Sequence, residues 1–325
     1  MKIFQMDEGK PKYQIAAVVV TYNRLALLQE CIASLRNQTR KLDEIIVVNN
    51  SSTDGTLEWL NNQKDLTIIT QLNSGSAGGF HTGIKTAYEK GYDWIWCMDD
   101  DAEPELNALE ELTKFFTNDN KALACTVIDD QQIIQLNHRG YLNFKKIKKG
   151  DLQYPSSLEN YTNKESFKAD FASFIGIIIH KSIVKNIGLP RKDFFICHDD
   201  IEYCIRINKI SKVLVVVNSR IIHKEKIHNK IEIKKRLIWT SQRPLLLRYG
   251  VQCLCYRNMF YLYRSYYRNT LGIINIFYNY LVLLRRIILF DNEKYFRWQL
   301  LNQALLQALT NHFDNEYFIK SNFKS

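Results

Sequence analysis

The hydrophobic pattern of the first two hundred residues alternates between short apolar runs and segments with helical periodicity. The apolar runs predict buried strands over 15–20, 44–48, 66–70 and 94–98. The periodic segments predict helices over 25–36, 54–61 and 80–89, with a loop over 73–79 before the last of them. Strands and helices that alternate at this spacing predict an α/β fold, with a mainly parallel sheet and helices on its faces.

The pattern is less regular after the fourth strand. Pro104 suits the first turn of a helix running to Phe116, because that turn does not need the N–H that proline lacks. Further segments are predicted as a hairpin and loop excursion over 131–165, strands over 171–180 and 213–217, and a helix over 201–210. From Leu245 the pattern is helical, over about 248–268, 271–289 and 294–312. We therefore expect an α/β domain over 1–244 and a helical C-terminal region over 245–325.

Composition excludes several classes of protein. With 325 residues, 46% hydrophobic and 24% charged, the chain can bury a large core, which excludes disorder and fibrous repeats. No run of about 18 uninterrupted apolar residues and no apolar run of signal-peptide length are present, so we expect a cytoplasmic protein that does not cross a bilayer. The 7 cysteines include no CxxC pair, and most lie in apolar runs, so we expect neither structural zinc nor a disulfide framework.

The basic surplus of the chain lies in its last third. Residues 224–325 contain 17 basic and 6 acidic side chains, a net charge of +11, whereas residues 1–223 contain 27 and 28, a net charge of −1. This asymmetry predicts a catalytic or binding body followed by a segment that meets an anionic partner, either a lipid surface or a nucleic acid. The alternative is a helical bundle that packs against the body or another subunit with its charges solvated.

Three carboxylates, Asp99, Asp100 and Asp101, directly follow the fourth predicted strand. Strand alternation places Asp99 and Asp101 on one side and Asp100 on the other. Adjacent negative charges repel one another unless a cation lies among them, and open α/β sheets bind ligands at the carboxyl ends of their strands. A hard divalent ion such as Mg²⁺ or Mn²⁺ fits this place, and an acidic turn that caps the next helix is the alternative.

Two other polar segments also follow predicted strands, namely residues 49–55 (NNSSTDG) and the glycine-rich residues 73–79 (NSGSAGG). Asn49 and Asp54 can bind a base or a ribose, and the N–H groups of a glycine-rich loop can approach phosphate oxygens closely. An isolated glycine cluster is more often a simple turn. The convergence of three strand ends on one edge of the sheet is what favours a nucleotide site.

A second acidic pair, Asp199 and Asp200, follows His198 and opens a predicted helix. N-capping is the ordinary role of Asp at such a position. The preceding residues 194–196 are apolar, however, and could raise the pKa of one carboxylate toward the range of a general base. His223 lies after the strand over 213–217, where a lone histidine is most often structural.

Six motifs occur in an order that resembles family 2 inverting glycosyltransferases of the GT-A fold, and in particular the bacterial galactofuranosyltransferase and rhamnosyltransferase branch. They are VVVTYNR (18–24), VVNNSSTDGT (47–56), NSGSAGGF (73–80), MDDDAEP (98–104), HDDIEYCIR (198–206) and RIIH (220–223). The YRN of residues 256–258 also resembles the helical tail of that branch. The resemblance implies a Rossmann-like catalytic domain with a DXD metal motif.

The resemblance also implies a role for individual residues. Those implied to contact the nucleotide are Thr21, Asn23, Arg24, Asn49 and Asp54. Those implied to border the diphosphate and donor sugar are Asn73, Gly75, Ala77, Gly78 and Gly79, with Asp100 facing the sugar. The implied ligands of Mn²⁺ or Mg²⁺ are Asp99, Asp101 and His223, and the implied catalytic base is Asp200, with Asp199 less favoured.

The implied activity is transfer of a sugar from a nucleotide diphosphate sugar (UDP or dTDP) to a saccharide acceptor in bacterial cell-surface polysaccharide synthesis. Galactofuranose or rhamnose is the favoured sugar, and we expect a lipid-linked acceptor. Together with the basic tail, a lipid-linked acceptor implies peripheral membrane contact at the inner face of the cell membrane. Whether the protein forms a homo-oligomer is left open. Two departures leave the nucleobase and acceptor pocket open: many members have Asp where Asn49 or Asn50 stands, and often Trp where His198 stands.

Two other functions compete with this interpretation. A nucleotidyltransferase shares the sheet, the metal and the nucleotide, but usually has a basic glycine-rich loop near the first strand, which here ends in residues 21–24 (TYNR). A non-catalytic nucleic-acid-binding protein would use the basic tail and its eight tyrosines between Tyr249 and Tyr280 for stacking. The body of charge −1, with its two acidic clusters, would repel a phosphate backbone, so we expect no nucleic-acid partner.

Overall fold

A computed structural model describes residues 13–144, 152–224, 231–236, 239–244, 246–267 and 269–321. The strands are β1 (Ile15–Thr21), β2 (Glu44–Asn49), β3 (Leu66–Thr70), β4 (Trp94–Asp99), β5 (Ala102–Pro104), β6 (Ala122–Ile128), β7 (Arg139–Leu142), β8 (Gln153–Pro155), β9 (Ser166–Ala169), β10 (Phe171–Ala172), β11 (Ile177–His180), β12 (Val213–His223), β13 (Ile231–Arg236) and β14 (Trp239–Pro244). The helices are α1 (Leu25–Arg36), α2 (Thr56–Asn61), α3 (Gly75–Glu89), α4 (Ala108–Thr113), α5 (Glu159–Thr162), α6 (Lys181–Ile187), α7 (Asp199–Ile207), α8 (Leu246–Tyr266), α9 (Asn269–Phe290), α10 (Lys294–Thr310) and α11 (Asn315–Ser321).

The central sheet has the strand order β3-β2-β1-β4-β11-β6-β12-β5, with β9 also paired to β12. Strands β1 to β4 pair in parallel, as do β6 and β12, whereas β11 runs antiparallel to both of its neighbours. The predicted α/β class is confirmed, and the parallel strands bring the carboxyl ends of β1, β2 and β4 to one edge.

Strand alternation in β1 explains how the layers pack. Ala16, Val18 and Val20 face one hydrophobic cluster, and the residues between them face another. The first cluster includes side chains of α3 and α7 and also of α8, α9 and α10, while the second is covered by α1 and α4. The C-terminal helices therefore share a core with the sheet. The division at residues 244 and 245 stays a prediction, and Leu245 itself lies outside the described residues.

Two predicted boundaries are wrong, each for a packing reason. The glycine segment is not a loop, because α3 begins at Gly75 and its early residues lie against the sheet. A Cβ on Gly79 would stand 2.4 Å from Val20 Cγ1, so glycine permits a close approach at a cost of about 1 kcal/mol in helix propensity. Gly78 is buried beside it. Pro104 ends the edge strand β5 instead of starting a helix, and an edge strand tolerates its missing N–H.

The excursion over 131–165 contains the predicted hairpin, since β7 pairs with β8 in a small sheet that also includes β10. Its residues 145–151 lie outside the described part of the chain. The predicted strand over 171–180 is divided into β10 and β11, with Gly176 between them at a φ of 79°. No disulfide framework was expected, and one disulfide is present, between Cys197 and Cys255.

Helix α9 is long and apolar enough to cross a membrane by length and composition alone, and is the one such helix in the described ranges. Its segment Thr270–Phe290 has a mean hydropathy of 1.6, and 28% of it is buried. The sequence analysis excludes a spanning helix because polar residues interrupt this segment. Two of them, Asn275 and Asn279, are buried, and each donates to a backbone carbonyl one turn earlier.

Candidate active site

The carboxylates that follow β4 lie beside the end of β1. Asp100 Oδ2 accepts a hydrogen bond from Thr21 Oγ1 at 2.7 Å. Arg24 Nη1 lies 3.3 Å from Asp100 Oδ1 and 2.5 Å from Asp101 Oδ2. Burial raises the pKa of Asp100 to about 6, although Arg24 and Thr21 oppose the shift. Hydrogen bonds and ion pairs therefore link the end of β1 to the carboxylates after β4. The residues involved are Thr21, Arg24, Asp100 and Asp101.

His223 reaches this unit through the pairing of β12 with β5, which places it opposite Ala102. His223 Nε2 lies 3.4 Å from Asp101 Oδ1, a buried oxygen that has no hydrogen-bond partner among the described residues. Burial alone would raise the pKa of Asp101, but His223 and Arg24 outweigh it and lower that pKa. Burial together with Asp101 and Asp100 raises the pKa of Asp99.

These residues fit a divalent ion only with some rearrangement. The described part of the chain contains no group of three His, Cys, Asp or Glu side chains already arranged to hold a metal. The unbonded Asp101 oxygen beside His223 nevertheless supplies the oxygen and nitrogen donors that Mn²⁺ and Mg²⁺ accept. His223 and Asp101 are thus brought together, and the role of Asp99, Asp101 and His223 as ligands stays a prediction.

The loop after β2 is tied by polar side chains to the turn between β1 and α1. Asn23 Oδ1 accepts from the backbone N–H of Thr53, and the N–H of Asn23 donates to Ser52 Oγ. Asp54 accepts from the first backbone N–H of α1 and from the hydroxyl at the start of α2. Asn49 is fully buried, and its Nδ2 has no hydrogen-bond partner among the described residues. Asn23 and Asp54 therefore shape the loop, whether or not they also touch a nucleotide.

The first turn of α3 connects this cleft to the second acidic pair. Asn73 Oδ1 accepts from the N–H of Gly75, whose carbonyl accepts from Asn50 Nδ2. The buried Ala77 donates its N–H to the carbonyl of Phe195 at 3.1 Å. A Cβ on Gly75, which has a φ of 72°, would stand 1.9 Å from that same carbonyl oxygen, so glycine is required.

The segment before α7 has an unusual backbone. Phe195, Cys197 and His198 all have positive φ, at 64°, 65° and 65°, a conformation that costs non-glycine residues about 1–2 kcal/mol each. Asp199 is buried and Asp200 is partly exposed at the start of α7. Burial, and then the neighbouring Asp200 charge, raises the pKa of Asp199 to about 8. Asp200, whose pKa is also raised by burial, is the member of the pair that solvent or a ligand can reach.

Two residues of α8, to which the sequence analysis assigned no role, hold this segment. Asn258 is fully buried, and its Nδ2 lies 3.0, 2.8 and 2.9 Å from the carbonyl oxygens of Phe194, Ile196 and Cys197. Arg257 Nη2 donates to the carbonyl of Phe194 at 3.1 Å. Arg257 is also fully buried, and burial lowers its pKa to about 9. The YRN motif was the signal that could have identified both.

His138 and Arg139, which the sequence analysis does not name, lie near His223 and Asp200 respectively. The rings of His138 and His223 meet edge to face, with centroids 5.1 Å apart. Burial, Arg139 and His223 lower the pKa of His138 to about 3, so its imidazole is neutral near pH 7. Arg139 is fully buried, donates to the carbonyl of Cys125 at 2.8 Å, and contributes positive potential at Asp200. No sequence motif marked either residue.

The sequence profile of glycosyl transferase family 2 matches residues 16–188, which is more than half of the chain. The chain belongs to this family. The matched region includes nearly all of β1, together with β2 to β4, the Asp99–Asp101 cluster and α3.

Two curated relatives are similar to this glycosyltransferase. The galactofuranosyltransferase GlfT1 of Mycolicibacterium smegmatis is 29% identical over 200 residues, which is 58% of this chain and 63% of the relative. The dTDP-rhamnosyl transferase RfbF of Shigella flexneri is 26% identical over 213 residues, which is 64% of this chain and 68% of the relative. The similarity to GlfT1 thus spans less than two thirds of that protein.

A solved structure shows the fold. The crystal structure of GalNAc-T7 with UDP, GalNAc and Mn²⁺ superposes with a TM-score of 0.57 at 14% identity, over 93% of this chain and 58% of that one. The expected GT-A fold is confirmed.

Proposed function

We propose that the protein transfers a sugar, with inversion, from a UDP- or dTDP-sugar to a hydroxyl of a saccharide acceptor. The observation that carries the proposal is that one helix end joins the loop after β2 to the segment before the second acidic pair. The first turn of α3 binds Asn50, which follows β2, and Phe195, which lies shortly before Asp200. The names of the relatives favour galactofuranose or rhamnose as the sugar.

The metal would be held at the edge formed by Asp99, Asp101 and His223. Mn²⁺ or Mg²⁺ bound there supplies a Lewis acid that neutralises the charge of the departing nucleoside diphosphate. The unbonded Asp101 oxygen supports this position, and so does the Mn²⁺ in the GalNAc-T7 structure. Arg24 adds positive charge at the same edge, with about half of its side chain exposed to the cleft.

Asp200 would be the catalytic base. It accepts the proton of the acceptor hydroxyl while that oxygen bonds to the anomeric carbon and the bond from this carbon to the diphosphate oxygen breaks. A single displacement inverts the anomeric centre. Asp199 is buried, and its pKa of about 8 keeps it mostly protonated near pH 7, so Asp200 is the member of the pair that takes the acceptor proton.

The nucleotide would lie over the ends of β1 and β2. The polar residues that border that region are Thr21, Asn23, Asn49 and Asp54. Tyr22 adds an aromatic ring that is 47% exposed at the end of β1, which suits stacking on a base. The glycines of α3 serve this site by letting the helix end approach the sheet, because the N–H groups of Gly75 and Ala77 already donate within the protein.

The C-terminal helices would contact the cytoplasmic face of the membrane. One face of α9 is apolar and exposed, with Phe277 62% and Leu281 58% accessible, and Ile273 and Ile288 continue the same stripe. Arg285, which is also exposed, and the net charge of +11 suit anionic headgroups. We infer that α9 lies along the interface and that the acceptor is lipid-linked.

A product assay tests the function. Purified full-length protein with Mn²⁺ is offered UDP-galactofuranose, dTDP-rhamnose and UDP-hexopyranoses, each with a panel of alkyl glycoside acceptors. We expect nucleoside diphosphate release that depends on both donor and acceptor, and NMR of the product should show an inverted anomeric centre. Retention of the anomeric configuration would contradict the proposal. Nucleoside diphosphate release at the same rate with and without acceptor would also contradict it.

A further inference from the structure

Arg139 of β7 is a fully buried cation whose hydrogen bonds all go to neutral acceptors. Its Nε donates to the carbonyl of Cys125 at 2.8 Å, and its Nη2 donates to the carbonyl of Ile175. Its Nη1 donates to the carbonyl of His138 at 2.8 Å and to Ser173 Oγ at 3.2 Å. Among the described residues no Asp or Glu forms an ion pair with it. Neutral acceptors leave the charge uncompensated, and burying such a charge is costly, so a further role is expected.

One face of α7 runs along the chain next to Arg139. Asp200, Cys204 and Asn208 are four residues apart, so they follow one another along this face. Asn208 Nδ2 donates to the carbonyl of Asp170 at 2.6 Å, and Cys204 Sγ lies 3.4 Å from both the backbone nitrogen and the carbonyl oxygen of Ala172. A step of four residues on the helix, about 6 Å, therefore matches two residues of the extended chain, about 7 Å.

The guanidinium of Arg139 lies where the next such step leads. Ala172 is the register partner of Arg139 in the antiparallel pair of β10 and β7. The step from Cys204 to Asp200 leads to residues 173–175, and both ends of that short segment accept hydrogen bonds from Arg139. Arg139 therefore extends beneath the start of α7. In agreement with this placement, Arg139 and Asp200 each shift the pKa of the other toward its charged form.

The other titratable groups of α7 are neutral or paired. Burial, and then the charge of Asp200, raises the pKa of Asp199 to about 8, and burial raises that of Cys204 to about 12, so both are mostly protonated near pH 7. Glu202 and Arg206 form an ion pair at 2.7 Å, and the hydroxyl of Tyr266 from α8 donates to Glu202. Within α7, all of which is described, the one cation is thus already paired.

The elements packed against α7 present two other groups that can carry positive charge. Arg257 of α8 donates to the carbonyls of Asp193 and Phe194, several residues before Asp200. His198 directly precedes the acidic pair, but an imidazole is charged only when protonated, whereas a guanidinium keeps its charge. β10 has no charged side chain, and α6 meets α7 through a backbone carbonyl. Arg139 thus provides permanent positive charge on the side of α7 that faces β10.

We propose that Arg139 is the buried counter-charge that keeps Asp200 ionised, so that Asp200 can accept the proton of the acceptor hydroxyl. The inference rests on the proposed function, in which Asp200 is the base, and adds a positioning residue that does not touch the substrate. Burial raises the pKa of Asp200, and the N–H of Ile201, His198 and Arg139 oppose that rise. Without the cation, more of the Asp200 carboxyl would hold a proton at neutral pH and could not take another.

The pH dependence of kcat in Arg139→Gln tests the proposal, with Arg139→Lys as the variant that keeps the charge. An opposite charge near a carboxyl lowers its pKa by about 1–3, and Arg139 acts through its field, so we expect the lower end of this range. In Arg139→Gln the midpoint pH on the acid side of the kcat profile should rise by about 1, so kcat falls about tenfold below that midpoint and recovers at higher pH. Arg139→Lys should stay close to the wild type. A loss of kcat of equal size at every pH, or equal midpoint shifts in both variants, would overturn the proposal.

Arg297→Gln is the matched control for the loss of a buried cation. Arg297 is 3% exposed, but it lies in α10 and pairs with Asp291 at 3.7 Å. Urea unfolding should show a loss of stability in both glutamine variants, whereas the acid-side midpoint should move only in Arg139→Gln. His198→Gln tests the neighbouring imidazole. If that variant shifted the midpoint and Arg139→Gln did not, His198 would be the counter-charge and the proposal would be wrong.

A titration that does not depend on catalysis separates this proposal from the proposed function. Carbon-13 NMR of carboxyl-labelled aspartate follows Asp200, whose signal is identified by its loss in Asp200→Asn. The measurement is made with Asp199→Asn present, so that one group titrates instead of a coupled pair. Adding Arg139→Gln should raise the midpoint by about 1, and adding Arg139→Lys should leave it nearly unchanged.

The outcomes of this titration distinguish the two proposals. A raised midpoint would support the role of Arg139 even if none of the tested donors were used. An unmoved midpoint in an enzyme that transfers sugar would reject that role and keep the function. In the wild type Asp200 should be ionised at pH 7, and a protonated Asp200 at that pH would overturn the proposal whether or not Arg139→Gln folds.

Discussion

Replacing Asn258 with leucine should impair the catalytic step much more than donor binding. The side chains have similar size, so the change chiefly removes the amide that faces the carbonyls of Phe194, Ile196 and Cys197 at 3.0, 2.8 and 2.9 Å. An amide has two N–H groups, so about two net hydrogen bonds are lost at about 1 kcal/mol each, and buried carbonyls left without partners add about 1–2 kcal/mol. We expect a loss of about 3 kcal/mol in the free energy of unfolding.

The consequence for catalysis follows from the backbone. Phe195, Cys197 and His198 hold positive φ only while their surroundings enforce it, so a freed segment should relax and move Asp200. A shift of about 1 Å in a catalytic group can cost about 10²-fold in rate. We therefore expect kcat to fall about a hundredfold, while the Kd for UDP, measured by titration calorimetry, stays near that of the wild type.

Gln38→Leu is the matched control for this prediction. Gln38 is also fully buried, and its Nε2 lies 3.2, 3.4 and 2.9 Å from the carbonyl oxygens of Ser34, Pro104 and Glu105. Urea unfolding should show a similar loss of stability in both variants, with kcat largely retained in Gln38→Leu. If both variants lost kcat equally, general destabilisation would explain the effect and the positioning argument would be refuted.

Four further predictions follow from the same geometry. Asp200→Asn should lower turnover about 10²- to 10⁴-fold with unchanged UDP affinity, and a larger loss for Asp199→Asn would reverse the assignment of the base. The pKa of Asp199 is raised to about 8, above its unfolded value of about 4, so the wild type should lose stability to urea as pH rises between these values. In Asp199→Asn the stability to urea should fall less over this pH range. An equally steep fall in the variant and the wild type would contradict the prediction. Transfer should stop in excess EDTA and in Asp101→Ala, and full activity in either would exclude the metal site. Phe277→Gln should reduce flotation with anionic liposomes several-fold, whereas Leu72→Gln, at an 87% exposed residue of the catalytic body, should not.

The sequence predicts the fold well where burial follows a simple period. The bounds of α1 were predicted without error, because its apolar residues repeat at helical spacing against one face of the sheet. The prediction failed at Gly75–Gly79 and at Pro104, where local propensity opposed tertiary packing. Close approach of α3 to β1 requires glycine inside a helix, and pairing with β12 places Pro104 in an edge strand.

The candidate site was predictable where its chemistry is concentrated in short segments. Asp99–Asp101 and Asp199–Asp200 are visible as acidic runs, the first after a predicted strand and the second at the start of a predicted helix. Arg139 and Asn258 were not predictable from composition or period, because they bind backbone carbonyls, and carbonyl acceptors have no signature in the sequence. His223 reaches Asp101 through strand pairing, so only the resemblance suggested it.

The contacts of α8 bear on how the C-terminal region should be tested. Burying the polar side chains of Arg257 and Asn258 is costly, and the carbonyls of the segment before Asp199 offset that cost. The same bonds hold a backbone whose positive φ values would otherwise relax. The helical region therefore helps to position Asp200, the proposed base, in addition to any role at the membrane. We expect a chain cut before α8 to be inactive even toward a water-soluble acceptor, so loss of activity on truncation would say nothing about membrane binding. Point changes on the outward face of α9, such as Phe277→Gln, separate the two roles because they leave the contacts of Asn258 intact.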